Sequence, residues 1–290
     1  MRNFVIVTDS ATDITSEMSS SLGVQTIQLE VIMDGAEPMP NDCVDAKSFY
    51  ADLRAKKGAT TSAINIDRFL ETFGKILEEQ DVDILYLGFS SGLSGTFNAG
   101  AVALNELSEK YPDRKLYAVD TLCASMGQGL LVWYAAKMQE SGADIEAVRD
   151  YVENNKLNMC HWFTVDDLFF LKRGGRVSAA TAVVGTMLGI KPVMHVDNAG
   201  KLIKVTTARG RKASIDALFD RMKETVFPNK EGCDTVFISH GDCEEDALYL
   251  ANRIRTELGY SHIEINFIGP VIGAHSGPGT LALFFLGSER

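Results

Sequence analysis

Three glycines and three serines fall within nine residues, Gly88-Phe89-Ser90-Ser91-Gly92-Leu93-Ser94-Gly95-Thr96, between an apolar run and an amphipathic one. Glycine lets a backbone approach a ligand closely, and serine hydroxyls beside the free N–H groups of a helix's first turn can hold an anion. The same stretch spells G-x-S-x-G, the nucleophile elbow of α/β-hydrolases, with Ser90 in the nucleophile position. Asp120 or Asp166, followed by His240 or His275, supplies the Ser, Asp, His order of a triad. Two features count against that serine-hydrolase alternative. No HGGG-type oxyanion segment precedes Ser90, the first histidine being His161, and the Ser/Gly pattern runs on to Gly95 where an elbow needs one serine. Helix capping is the plain alternative for the whole segment. Neither G-x-x-x-x-G-K-[ST] nor G-x-G-x-x-G occurs.

A second hydroxyl cluster, Thr60-Thr61-Ser62, precedes a helical pattern and either caps it or faces the first cluster across a cleft. A third candidate is the glycine and proline loop Gly269-Pro270-Val271-Ile272-Gly273-Ala274-His275-Ser276-Gly277-Pro278-Gly279, whose histidine can donate to a bound carboxylate. Leu171-Lys172-Arg173-Gly174-Gly175-Arg176 gathers three cations, read either as a helix ending at Gly174 or as a basic patch for phosphate or an acidic partner. The five cysteines, Cys43, Cys123, Cys160, Cys233 and Cys243, form no C-x-x-C pair and suggest neither disulfides nor zinc, which fits a reducing cytosol.

The elements that must position these groups follow from periodicity in 290 residues that are 46% hydrophobic and 23% charged. A net charge of −11 argues against nucleic acid and anionic lipid surfaces as partners. No apolar run approaches the roughly 18 residues of a membrane span, and the first residues lack the hydrophobic region of an export signal, so a cytoplasmic protein without stable membrane insertion is expected. Strands are predicted at 4–8, 24–32, 84–89, 116–120, 159–165, 190–196, 202–207, 235–239, 263–268 and 280–286. Helical spacing marks 45–56, 67–79, 96–110, 126–139, 145–154, 213–226 and 244–258. Asp242 and Glu245 resemble a capping box opening the last helix. The alternation predicts an α/β fold of two domains with largely parallel sheets, and Asp197-Asn198-Ala199-Gly200 predicts a β-hairpin. The polar stretch around 153–158 sets the boundary, giving an N-terminal α/β domain at 1–157 with the Ser/Gly loop and a C-terminal α/β domain at 158–290 with the hairpin and basic loop.

In this order the motifs resemble the DegV family of bacterial fatty-acid-binding proteins. The resemblance runs through Val7-Thr8-Asp9-Ser10-Ala11, Thr61-Ser62, Ser90 to Thr96, Asp120-Thr121 with Ala124-Ser125-Met126-Gly127, Leu171 to Val177, Gly189 to Val193, Arg209 to Ala213 and Gly269 to Gly279. It implies two α/β domains holding a long-chain fatty acid in a tunnel at their interface. It also implies a separate ATP-dependent fatty acid kinase that converts the presented carboxylate to an acyl phosphate for lipid metabolism. The protein is then a carrier without turnover, its ligand a fatty acid and its cofactor none. By the same resemblance Thr61, Ser94 and His275 surround the carboxylate, with Ser62, Ser91 and Ser276 as neighbours. Arg173 meets the kinase, with Arg176 and Lys191 nearby. One departure stands out: Thr61-Ser62-Ala63-Ile64-Asn65 replaces the family's usual Thr-Ser-Gln-Pro-Ser. A buried chain of roughly fourteen methylenes gives on the order of 10 kcal/mol of gross driving force.

Overall fold

The computed structural model describes residues 3–178, 189–227 and 232–290. Strands β1 (Phe4–Asp9), β2 (Gln25–Ile27), β6 (Asp83–Gly88) and β7 (Leu116–Asp120) form a four-stranded, wholly parallel sheet in the order β2-β1-β6-β7. All six residues of β6 are buried, as expected for a central strand covered on both faces. Helices α3 (Ile66–Glu79), α4 (Thr96–Lys110) and α6 (Ile145–Asn155) flank this sheet. A small antiparallel sheet, β3 (Glu30–Met33) between β4 (Met39–Pro40) and β5 (Ala59–Ser62), stands beside it. The predicted strand at 24–32 is therefore two strands, β2 and β3, in different sheets.

The second large sheet has the order β10-β9-β8-β13-β11-β12, built from β8 (Met159–Thr164), β9 (Ile190–Val196), β10 (Leu202–Arg209), β11 (Thr235–His240), β12 (His262–Phe267) and β13 (Leu281–Leu286). Here the expectation of largely parallel strands fails, since only the β11/β12 pair is parallel and the four others are antiparallel. The α/β composition stands, but β9 and β10 enter this sheet as a hairpin and β13 lies antiparallel to both of its neighbours. Helices α8 (Arg211–Thr225) and α9 (Glu244–Arg253) cover its outer face. The capping box at Asp242 is absent: Cys243 is the N-cap, while Asp242 has φ 57° and pairs with Arg54 instead.

Helix α5 (Met126–Glu140) joins the layers. Ten of its residues are buried, and its neighbours include Ile6, Leu85 and Leu87 of one sheet with Phe163, Phe237 and Phe284 of the other. A helix apolar all round belongs in an interior, and each Leu buried here contributes about 1.5–3 kcal/mol. The loop predicted at 269–279 is in part a helix, α10 (Pro270–Ser276), with Pro270 in the first turn where its missing N–H costs nothing. Helix α10 packs on β3, β5 and the short helix α7 (Phe169–Arg173).

Candidate functional site

The carboxyl ends of β6 and β7, the strand β5, helix α10 and the inner face of the six-stranded sheet enclose a pocket of about 370 Å³. Its walls are chiefly apolar, with Leu93, Phe163, Leu171, Val196, Leu202 and Phe284 among them, which is the character of a small-molecule site. Two of the polar lining residues define a corner. Thr61 Oγ1 and His275 Nε2 lie 2.7 Å apart, and Ser62, Ser94, Ser276 and Arg176 line the same cavity. Sequence positions more than two hundred residues apart meet there because β5 pairs with β3 while α10 packs across both.

The corner holds unspent hydrogen-bonding capacity. Ser276 is buried, and its hydroxyl has no hydrogen-bond partner among the described residues. Burial pushes the His275 pKa down to about 4, and the Arg176 and Arg173 charges add to the effect, so the imidazole is neutral at pH 7. Gly174 makes this packing possible, because a Cβ there would strike the His275 ring. Arg176 is half-buried with its guanidinium on the Gly174 carbonyl, and burial lowers its pKa. Buried charge without a counter-charge is costly, so this corner favours an anion.

The other predicted site residues stand at different distances from this corner. Ser94 Oγ accepts the Thr96 N–H at 3.2 Å and pairs with Thr96 Oγ1 at 2.9 Å, so it helps start α4 while facing the pocket. Ser62 lines the cavity, but its hydroxyl donates to Glu30 at 3.1 Å. Ser91 is exposed outside the pocket, its N–H donating to Asp120 at 3.2 Å. Arg173 is exposed outside the pocket, where it donates to the Ala274 carbonyl at 3.3 Å and stacks on Phe170 with 5.1 Å to the ring centre. Lys191 pairs with Asp166 at 2.7 Å. The departure at 63–65 also has a physical role: Ala63 lines the pocket, Ile64 enters the core, and Asn65 Oδ1 caps α3 by accepting the Arg68 N–H. Capping thus belongs to Asn65 and not to Thr60-Thr61-Ser62.

No triad assembles at Ser90. Its hydroxyl is buried and donates to the Gly200 carbonyl at 2.8 Å, and Ser90 is not among the residues with positive φ that mark a strained elbow. Asp120 takes the Ser91 and Leu122 N–H groups, Asp166 pairs with Lys191, His240 Nδ1 accepts from Cys243, and His275 faces Thr61. The strained serine is Ser125, at φ 53° and ψ −151°, which lines the pocket and donates to Asp13 at 2.5 Å. The pocket also contains His161, whose Nδ1 lies 3.0 Å from the Met159 carbonyl. Neither residue carried a signal of chemistry in sequence beyond the Ser125-Met126-Gly127 tripeptide. Among the described residues no cluster of His, Cys, Asp and Glu is arranged to hold a metal ion.

The fold and the pocket define an α/β protein built around an enclosed apolar cavity with a polar, anion-favouring corner. The family model described as an uncharacterised protein of the DegV family, COG1307, matches residues 3–288, and the chain belongs to the DegV family. It is 45% identical over 295 residues to the DegV domain-containing protein CPE0026 of Clostridium perfringens, covering 100% of this chain and 99% of that one. Among solved structures it resembles a fatty-acid-binding DegV family protein from Thermus thermophilus, with a TM-score of 0.85 and 29% identity over 99% of this chain and 100% of that one. It also resembles DegV, a fatty acid binding protein from Bacillus subtilis, with a TM-score of 0.83 and 27% identity over 99% of this chain and 100% of that one.

Proposed function

We propose that this protein binds one long-chain fatty acid, its carboxylate at the Thr61–His275 corner and its chain along the apolar walls. The observation that carries this reading is the Thr61–His275 pair, with the imidazole neutral, in a chiefly apolar cavity that half-buried Arg176 and the buried, unpartnered Ser276 also line. A carboxylate there gains donors from Thr61, Ser94, His275 and Ser276 and a charge partner in Arg176. The fatty-acid-binding relatives support the same ligand class.

The carboxylate is then offered to a separate ATP-dependent fatty acid kinase, which makes the acyl phosphate for lipid metabolism in the cytoplasm. Arg173, exposed with Lys172 beside it, supports a docking role in a chain of net charge −11. Ser62 supports the corner by holding Glu30 aside. Turnover by the carrier itself and a cofactor beyond the bound acid are unnecessary to this scheme. Membrane insertion is also unnecessary, since no helix among the described residues is long and apolar enough to cross a bilayer. The division at 157/158 belongs to the same proposal, with the acyl chain lying between an N-terminal and a C-terminal unit.

Native followed by denaturing mass spectrometry of the purified protein tests the reading. The expected result is a non-covalent adduct with the mass of a long-chain fatty acid that disappears on denaturation. Absence of any adduct, followed by no uptake of added palmitate, overturns it.

A further inference from the structure

The lining of the pocket includes Ala124, His161, Val196 and Leu202. Each of these sits beside one end of a polar staple that joins the two large sheets. The staple is Arg290, whose guanidinium spends all five of its N–H groups on uncharged acceptors. Nε donates to the Met159 carbonyl at 3.1 Å, and Nη1 to the carbonyls of Leu122 at 2.9 Å and Asp197 at 3.0 Å. Nη2 donates to Cys123 Sγ at 3.1 Å and to the Lys156 carbonyl at 2.6 Å.

One side chain therefore ties the loop after β7 (Leu122, Cys123) to the start of β8 (Met159) and to the tip of the β9–β10 hairpin (Asp197). Ser90 adds a second tie to the same hairpin through its bond to Gly200. The contact is close enough to demand glycine on both sides. A Cβ on Gly92 would strike the Ala199 and Gly200 carbonyls, and one on Gly200, at φ 70°, would strike Ser90 Oγ. Leu122 holds a left-handed φ of 53°, a conformation that neighbouring contacts must impose on a leucine. The hairpin tip is shaped to fit, with Asp197 Oδ1 accepting the N–H groups of Ala199 and Lys201 at 2.9 Å each.

We propose that Arg290 and Ser90 are specificity-determining positioning residues that set the acyl-chain length by holding the β9–β10 hairpin, Arg290 against the loop after β7 and Ser90 against the Ser/Gly loop. The proposal rests on the fatty-acid reading above. An apolar wall alone slides to admit another methylene, because its contacts are not directional. A hairpin pinned by two hydrogen bonds, Arg290 to Asp197 and Ser90 to Gly200, with Arg290 itself anchored by four more, keeps its position until those bonds break. Arginine suits the place because its planar fork presents five donors at once and lysine offers three around one point.

The test measures affinity of wild type, Arg290→Ala, Arg290→Lys and Ser90→Ala for myristate, palmitate, stearate, arachidate and behenate, with a melting curve for each variant. The expected result is a change of about tenfold or more, in favour of the longer acids, in the ratio of behenate to palmitate affinity for Arg290→Ala. Arg290→Lys falls in between and Ser90→Ala shifts the ratio the same way by less. An equal loss for every acid, or an unchanged ratio, overturns the proposal, because a merely structural residue lowers all affinities together. Hydrogen exchange of the ligand-free protein gives an arm independent of the ligand. Residues 197–202 exchange faster in Ser90→Ala and Arg290→Ala if the staple holds the hairpin, and unchanged exchange there overturns it. Failure of wild type to bind any of the acids overturns the fatty-acid reading instead.

Discussion

Two buried polar regions, both close to the pocket, differ in what they do with their hydrogen-bonding capacity. At Asp9 it is consumed: the carboxylate accepts from Tyr86 and the Phe89 N–H at 2.9 Å each, from the Ala11 N–H at 3.2 Å and from Gln128 at 3.3 Å. At the Thr61–His275 corner it is held open, with an unpartnered Ser276 hydroxyl and two arginines beside a neutral imidazole. A satisfied network specifies a fold and rigidifies it, whereas unspent donors inside an apolar cavity await a ligand. Burial raises the pKa of Asp9 in spite of its four donors.

Asp9→Ala produces the largest effect, a loss of about 4 kcal/mol in denaturant unfolding, since it strands Tyr86, Phe89 and Gln128 donors in the interior. A loss confined to ligand affinity would erase the contrast between the two regions. Asp13→Asn sharpens it through pH. Burial raises the Asp13 pKa from 3.8 to about 7, so the native state resists deprotonation and wild type loses stability as pH rises from about 4 to 7. The variant lacks that slope, and the difference between the two proteins grows by on the order of 4 kcal/mol across the window. A constant difference would show that Asp13 titrates normally. Thr61→Ala weakens palmitate binding about tenfold, or about 1.4 kcal/mol, with little change in melting temperature. Ser91→Ala gives the smallest effect, less than about twofold by calorimetry, because Ser91 lies outside the cavity.

Much of the fold was legible because periodicity reports burial, and burial follows from a side chain's own chemistry. The strands at 83–88 and 159–164 and the helices at 96–110 and 145–155 lie within a residue or two of their predicted places. Strand direction in the second sheet was not legible, because a continuously apolar strand such as β13 reads the same in either orientation. The site was legible in part. Hydroxyl, glycine and histidine clusters marked the loops that reach the pocket, yet Ser91 points outward from the same loop that turns Ser94 inward. Helix α10 was hidden by its glycines and prolines, which signal a loop until Pro270 is seen to occupy a first turn.

By itself the sequence determined the α/β alternation, the net negative charge and the three clusters of groups able to meet a carboxylate, all of which depend on residue type and short-range spacing. Tertiary structure decided which of those groups meet. It set Thr61 against His275, gave Ser90 to the hairpin in place of catalysis, strained Ser125 against Asp13, and made Arg290 the tie between sheets. These are long-range pairings selected by the shape of the packed interior, and nothing local to either partner encodes them.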